Sequence, residues 1–139
     1  MEKVQIQELI AMAIKQLQYS YAPYSNFKVA AALLGKNGKV YLGSNIENAA
    51  FTPTNCAERT AFFKAVSEGV TQFRAIAIVG GKDGVLTDLT APCGVCRQVM
   101  MEFCDPEEFQ IILAVSPENY QVYLLKELFP MGFGPAMIK

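Results

Sequence analysis

Two short stretches of this chain carry residues of the type and spacing that do chemistry. In Pro92-Cys93-Gly94-Val95-Cys96-Arg97 two thiols stand three positions apart, and in Cys56-Ala57-Glu58 a carboxylate follows a third thiol by two positions. A Cys-x-x-Cys pair alone either clasps a zinc ion or closes a redox disulfide. The third thiol and the acid shift the balance. Were all three thiols to hold one ion, one corner of its tetrahedron would stay vacant, as a catalytic site requires, whereas a closed structural site takes four protein ligands. Cys104 is the remaining cysteine; on a helix continuing from Cys96 it lies two turns along the axis at ~1.5 Å per residue, out of reach of the same ion. Both motifs fall where helices are expected to begin, and there unpaired N–H groups and the positive end of the dipole favour a thiolate. The chain has no histidine, so a metal must be held by sulfur. A proton must travel through a carboxylate, lysine, tyrosine or water.

The elements that position these groups follow from hydrophobic periodicity. Ile6, Leu9, Ile10, Ala13, Ile14 and Leu17 recur at helical spacing, predicting an amphipathic helix over residues 4–19 that ends before Pro23. Residues 27–34 and 39–45 are apolar runs separated by Lys36-Asn37-Gly38, which predicts an antiparallel hairpin with an Asn-Gly turn. A turn-rich segment, 48–55, leads to a helix over 56–68 closed by Gly69. A buried strand is expected over 75–79, a loop over 80–84, a helix from about 93 to 103 with Cys104 a buried thiol on its inner face, and a strand over 109–115. Strand, helix, strand in that order implies a parallel pair. Residues 120–124 suit a last strand and 126–129 a single helical turn. The expected fold is α/β: a three-layer α/β/α sandwich around a mixed sheet, with residues 1–139 as one catalytic domain.

Composition narrows the function. A hydrophobic content of 52% with 18% charged residues makes the chain globular, and a net charge of −1 gives no basic face to track a phosphate backbone. A nucleic acid polymer is therefore excluded as partner. No apolar run approaches the ~20 residues of a membrane span, and Glu2 and Lys3 stand where a secretory segment would be apolar. We expect a cytoplasmic protein, in which four cysteines are metal ligands or free thiols rather than a disulfide frame.

Cys-x-Glu followed by Pro-Cys-x-x-Cys resembles the signature of the zinc-dependent nucleobase deaminases, with cysteine in place of the first-motif histidine. Tyr21-Ala22-Pro23-Tyr24-Ser25, Asn45-Ile46-Glu47-Asn48-Ala49-Ala50, Cys56-Ala57-Glu58-Arg59-Thr60-Ala61 and Pro92-Cys93-Gly94-Val95-Cys96-Arg97-Gln98 together resemble the small, homotetrameric cytidine deaminases of nucleoside salvage. The resemblance spans about 21–135. It implies one Zn2+ per subunit on Cys56, Cys93 and Cys96, a metal-activated hydroxide attacking C4 of cytosine, and Glu58 as proton shuttle. Arg59 resembles the arginine that hydrogen-bonds ligand thiolates and draws charge off them. The resemblance further implies that the Ala57 N–H holds the base O2, that Phe27 packs on the ring, and that Asn45 and Glu47 contact the sugar 3′-hydroxyl. Asn48, Ala49 and Phe51 continue that substrate wall, and Phe51 and Phe133 reach into a neighbour's site in a homotetramer with shared active sites. Two acceptors at residues 45 and 47 suit a hydroxyl, and the carboxylate would repel a 5′-phosphate, which favours a nucleoside; cytidine and 2′-deoxycytidine are both expected substrates.

Other readings predict other residues. A deaminase of an aminonucleoside antibiotic such as blasticidin shares the cysteine and glutamate motifs, but the 45–50 strip argues against it. Nucleotide and polynucleotide deaminases typically show a histidine ligand and basic residues for phosphate, both missing here. A structural-zinc binding module predicts a fourth ligand and a recognition face, and neither is present. Ala30 and Ala50 depart from the usual family residues without touching the proposed chemistry.

Overall fold

The computed structural model describes residues 1–139. Helix α1 (Lys3–Gln16) forms where the apolar stripe predicts it: Ile6, Leu9, Ile10 and Ala13 are buried, and the Gln5 side chain accepts the Glu2 N–H at 3.3 Å to cap the start. Then follow β1 (Phe27–Gly35), β2 (Val40–Ser44), α2 (Ala57–Ser67), β3 (Phe73–Lys82), α3 (Gly94–Phe103), β4 (Gln110–Ser116), β5 (Asn119–Leu124) and the single turn α4 (Leu125–Leu128). The strands form one mixed sheet in the order β2-β1-β3-β4-β5. Only β3 and β4, which flank α3, are parallel, as the strand-helix-strand order implies.

Successive strand residues point to opposite faces, so each strand feeds two cores. Ala30, Ala32, Ala75, Ala77, Val79, Ile112 and Ala114 pack against α1. Ala31, Leu33, Ile76, Ile78, Ile111 and Leu113 pack against Phe62, Ala65 and Met100 of α2 and α3. The small alanines on the first face let α1 lie close to the sheet. On the second face Phe62 meets Phe73 edge-on with ring centroids 4.9 Å apart. Helices on both faces of one mixed sheet are the expected three-layer architecture.

Three local details differ from expectation. β3 continues through Gly80 and Gly81 rather than entering a loop, because these residues pair with Val29 and Lys28 of β1. Their lack of a side chain serves the segment that folds back over them: a Cβ on Gly81 would lie 1.9 Å from the Val85 carbonyl oxygen. The reversal comes two residues later, at Asp83 and Gly84, both with positive φ. Second, Cys56 and Cys93 are extended N-cap residues rather than the first residues of their helices. Third, Cys104 is not on the helix; it has extended backbone just beyond α3 and packs into the core around Phe62 and Phe109.

One close approach fixes where α2 begins. A Cβ on Gly43 of β2 would stand 2.4 Å from the Ala57 carbonyl oxygen and 2.6 Å from the Ala61 amide nitrogen, backbone atoms that have no room to give. Gly43→Ala should therefore cost about 1–3 kcal/mol and lower Tm by on the order of 5 °C. A thermal melt indistinguishable from wild type would show that α2 can move off the strand freely.

Candidate metal and catalytic site

The N-termini of α2 and α3 bring three sulfurs together. Cys56 Sγ lies 3.7 Å from Cys93 Sγ, Cys93 Sγ lies 3.3 Å from Cys96 Sγ, and all three are within 4.8 Å of one another. Zn–S bonds of about 2.3 Å in a tetrahedron place ligand sulfurs about 3.8 Å apart, so this donor set fits one ion. The three sulfurs are free thiols, and Cys104, buried in the core beyond the C-terminal end of α3, is not among them. Each cap is fixed from behind. The Thr60 hydroxyl donates to the Cys56 carbonyl at 3.0 Å and accepts from Asn55 Nδ2 at 3.1 Å. Arg97 Nε donates to the Pro92 carbonyl at 2.8 Å, its Nη1 donates to the Leu128 carbonyl, and the Cys96 N–H reaches Cys93 Sγ at 3.5 Å.

Crowding sets the electrostatics of the three thiols. The hydrogen bond from the Cys96 thiol and the Arg59 guanidinium, whose Nη2 is 3.3 Å from Cys56 Sγ, push the Cys56 thiol down to about 5. The same bond to Cys56, with burial, holds the Cys96 thiol protonated. Two anions side by side are avoided by sharing a proton, the situation a divalent cation would relieve. Partial burial works against the Arg59 charge, yet the sulfurs of Cys56 and Cys96 outweigh it and raise its pKa. Its Nε is buried with no hydrogen-bond partner in the chain. Glu58 is 4% exposed; burial, reinforced by the neighbouring Cys56 charge, lifts its carboxyl to about 7. A carboxyl poised there can both take and give a proton near neutral pH.

The residues expected to touch substrate lie on neighbouring segments. Ala57 is the first residue of α2, so its N–H is one of the helix's unpaired donors. Phe27 opens β1 with its ring partly exposed. Ser25, Glu47, Asn48 and Phe51 line a cleft of about 530 Å³ together with Tyr24 and Thr54. Ala49 is an exposed turn residue beside it. Asn45 does not offer an acceptor as expected: its Oδ1 already accepts from the Val29 N–H at 3.0 Å and from the Ser20 hydroxyl, while Nδ2 donates to the Phe27 carbonyl at 2.8 Å. The side chain replaces a rung of the β1–β2 ladder, and what it has left is an N–H. Glu47 keeps its charge, its pKa lowered by hydrogen bonds from Ser25 and Tyr24. Phe133 is exposed on the C-terminal tail, whose course is set by Gln98 Nε2 donating to the Phe133 carbonyl at 2.8 Å. A larger cavity of about 620 Å³, between the end of α3 and the tail, holds none of the cage residues; chemistry rather than size locates the site. The motifs quoted from the sequence include Ser25, Arg97 and Gln98 without these roles and leave out Ser20, because the bonds from Ser20 to Asn45, Ser25 to Glu47, Arg97 to Leu128 and Gln98 to Phe133 span 22 to 35 residues, where no spacing pattern reports contact.

A sandwich that presents three thiols and a buried acid at two helix starts defines a zinc-binding deaminase domain. Over residues 3–112 the chain matches the profile of the cytidine and deoxycytidylate deaminase zinc-binding region. It is 53% identical over 100 residues to a cytidine deaminase of Sporosarcina psychrophila, covering 72% of this chain and 71% of that one. To a cytidine deaminase of Halalkalibacterium halodurans it is 46% identical over 127 residues, 91% of this chain and 92% of the relative. The crystal structure of cytidine deaminase from Burkholderia pseudomallei superposes with a TM-score of 0.82 at 43% identity, covering 91% of this chain and 97% of the other. The chain thus belongs to the cytidine and deoxycytidylate deaminase family, and is a zinc-dependent hydrolase acting on C–N bonds. None of its helices is long and apolar enough to cross a membrane.

Two measurements check the cage. Metal analysis should find about one zinc per chain in wild type and in Cys104→Ala, and a small fraction of that in Cys56→Ala, Cys93→Ala or Cys96→Ala; full loading of all three would break the assignment. The second concerns Glu58 in chelator-treated protein. Its folded-state pKa is raised above the ordinary 4.5 to about 7, so the stability it contributes is complete below pH 4.5 and is lost as pH rises through about 7. Metal-free Glu58→Gln should melt higher than metal-free wild type at about pH 8, with the gap closing near pH 4.5; a gap that does not change with pH would contradict the burial effect.

Proposed function

We propose that this chain, acting as one catalytic domain, converts cytidine and 2′-deoxycytidine to uridine and 2′-deoxyuridine with water consumed and ammonia released. What carries this reading is Glu58, a buried carboxyl two residues from Cys56 and lifted to about 7, beside three sulfurs that fit one ion. Zinc held by Cys56, Cys93 and Cys96 supplies Lewis acidity that makes water a nucleophile near neutral pH. Glu58 takes the first proton that water gives up and delivers it to N3 of the cytosine ring. Once the oxygen is bonded to C4, Glu58 takes the second proton from that oxygen and delivers it to the amine, which leaves as ammonia as the C4–N bond breaks and the C4 carbonyl forms. Arg59, donating to Cys56 Sγ, withdraws charge from the ligand set so that three thiolates do not quench that acidity. The Ala57 N–H, an unpaired donor at the start of α2, holds the base O2, and Phe27 packs on the ring and keeps water off it.

Asn45 and Glu47 read the sugar, with Asn48, Ala49 and Phe51 completing the wall. The ionised Glu47 carboxylate disfavours a 5′-phosphate, which makes nucleosides the substrates. The cleft beside Glu47 is open and shares no lining residue with the cage. Phe51 and Phe133 are 74% and 57% exposed, an exposure expected of aromatics that cover a neighbour's substrate in a homotetramer. Such an enzyme works in the cytoplasm. The relatives named above are cytidine deaminases, which favours this reading over an antibiotic-specific deaminase, and a structural-zinc module would need a fourth ligand that the three-thiol group lacks.

Loss of cytosine absorbance tests the reading. Cytidine and 2′-deoxycytidine should be consumed, their 5′-monophosphates left untouched, and a chelator should stop the reaction. Glu58→Gln should lower kcat by roughly 10²- to 10⁴-fold while keeping its zinc. Ammonia release by a variant lacking this carboxylate at the wild-type rate would end the proposal.

A further inference from the structure

The hydrogen bonds around residues 45 and 47 leave room for one more partner on each. Tyr21 and Asn55 form single bridges to Ile46, so this stretch is extended and the side chains of Asn45 and Glu47 leave by the same face. A carboxylate offers about four lone-pair sites and a side-chain amide two donors and two lone pairs. Glu47 Oε1 accepts the N–H groups of Tyr24 at 2.9 Å and Ser25 at 3.1 Å, and Oε2 accepts the Ser25 hydroxyl. One site, on Oε2, remains. On Asn45 both Oδ1 lone pairs and one Nδ2 hydrogen are taken by Val29, Ser20 and Phe27. One N–H remains, and the bonds to Val29 and Phe27 exclude a flipped amide. A single free donor beside a single free acceptor is the complement of one hydroxyl group, which gives one hydrogen bond and receives another.

Ser25 sits at the centre of this arrangement. All three of its polar groups are engaged: its N–H and hydroxyl on Glu47, its carbonyl by Lys82 Nζ at 2.9 Å. Its Oγ also accepts the Phe27 N–H at 3.0 Å. We propose that Ser25 is a positioning residue that selects for a single sugar hydroxyl. It occupies one site of Oε2 and aims the one left over. Lys82 holds Ser25 in register from β3, where it pairs with Phe27. The inference rests on Asn45 and Glu47 contacting the 3′-hydroxyl. It goes beyond that in assigning Ser25 and Lys82 to sugar selection.

The test compares cytidine with 3′-deoxycytidine on the zinc-loaded enzyme. Wild type should favour cytidine. Ser25→Ala should lower kcat/KM for cytidine by roughly tenfold, mainly through KM, and leave 3′-deoxycytidine nearly unchanged, so that the ratio between them narrows. Ser25→Thr, which keeps the hydroxyl, should restore the ratio, and 2′-deoxycytidine should follow cytidine throughout. Lys82→Met should narrow the ratio in the same direction, and carries the comparison if Ser25→Ala does not fold. Equal losses on both nucleosides, or an unchanged ratio in Ser25→Ala or Lys82→Met, would overturn the assignment. Wild type that does not distinguish the two nucleosides would instead remove the sugar contact on which it stands, and wild type inactive on every cytosine nucleoside would remove the deaminase reading itself.

Discussion

Three sulfurs within 4.8 Å of one another cannot all be anions unless something positive stands among or behind them. Much of the structure answers that constraint. Two helices begin at the cage with their N-caps contributed by Cys56 and Cys93, which sets the positive ends of both dipoles beside the sulfurs, and at α3 the Cys96 N–H reaches Cys93 Sγ. Arg59 places a guanidinium on Cys56 from the first turn of α2. Without a cation the remaining repulsion is met by keeping Cys96 protonated; with one, all three can ionise. Burial above all, and the Cys56 charge in addition, keep the Glu58 carboxyl protonated toward neutrality, which couples part of the acid's behaviour to the charge the cage carries.

Such a cage demands a rigid support, because its members come from segments 37 residues apart. The sheet supplies it. Gly43 lets α2 start directly on β2, the alanine-lined face lets α1 close the other side, and the phenylalanine cluster under α2 and α3 holds the two helices in one relation. Arg97 joins the loop before Cys93 to the end of α4, and Gln98 joins the next turn of α3 to the tail that bears Phe133. The metal ligands and the tail are thereby fastened to the same helix.

The substrate wall is organised on a different principle. Its polar side chains are nearly saturated by the chain itself, and selectivity resides in what is left unsatisfied. Asn45 spends most of its hydrogen-bonding capacity extending a β ladder, and Glu47 spends most of its own capping the Tyr24-Ser25 turn. A residue can thus be structural and leave a single, well-aimed group for a ligand.

Legible in the residues alone are the elements with strong periodicity, the sheet class, and the local motifs Cys56-Ala57-Glu58 and Cys93 to Cys96. Burial of α1 and the alternating strands is dictated by apolar spacing, and ligand type by the chemistry of sulfur, both local properties. Joining the two thiol motifs into one site came from resemblance, since nothing local to either reports that they meet. Hidden from the sequence are the run of β3 through Gly80 and Gly81, the exit of the backbone from α3 before Cys104, whose burial is expected, and the donor rather than acceptor that Asn45 presents. The reason is the same in each case: these outcomes depend on which backbone groups arrive from distant segments, and the hydrogen-bonding capacity a side chain has left over is known only once its neighbours have taken their share.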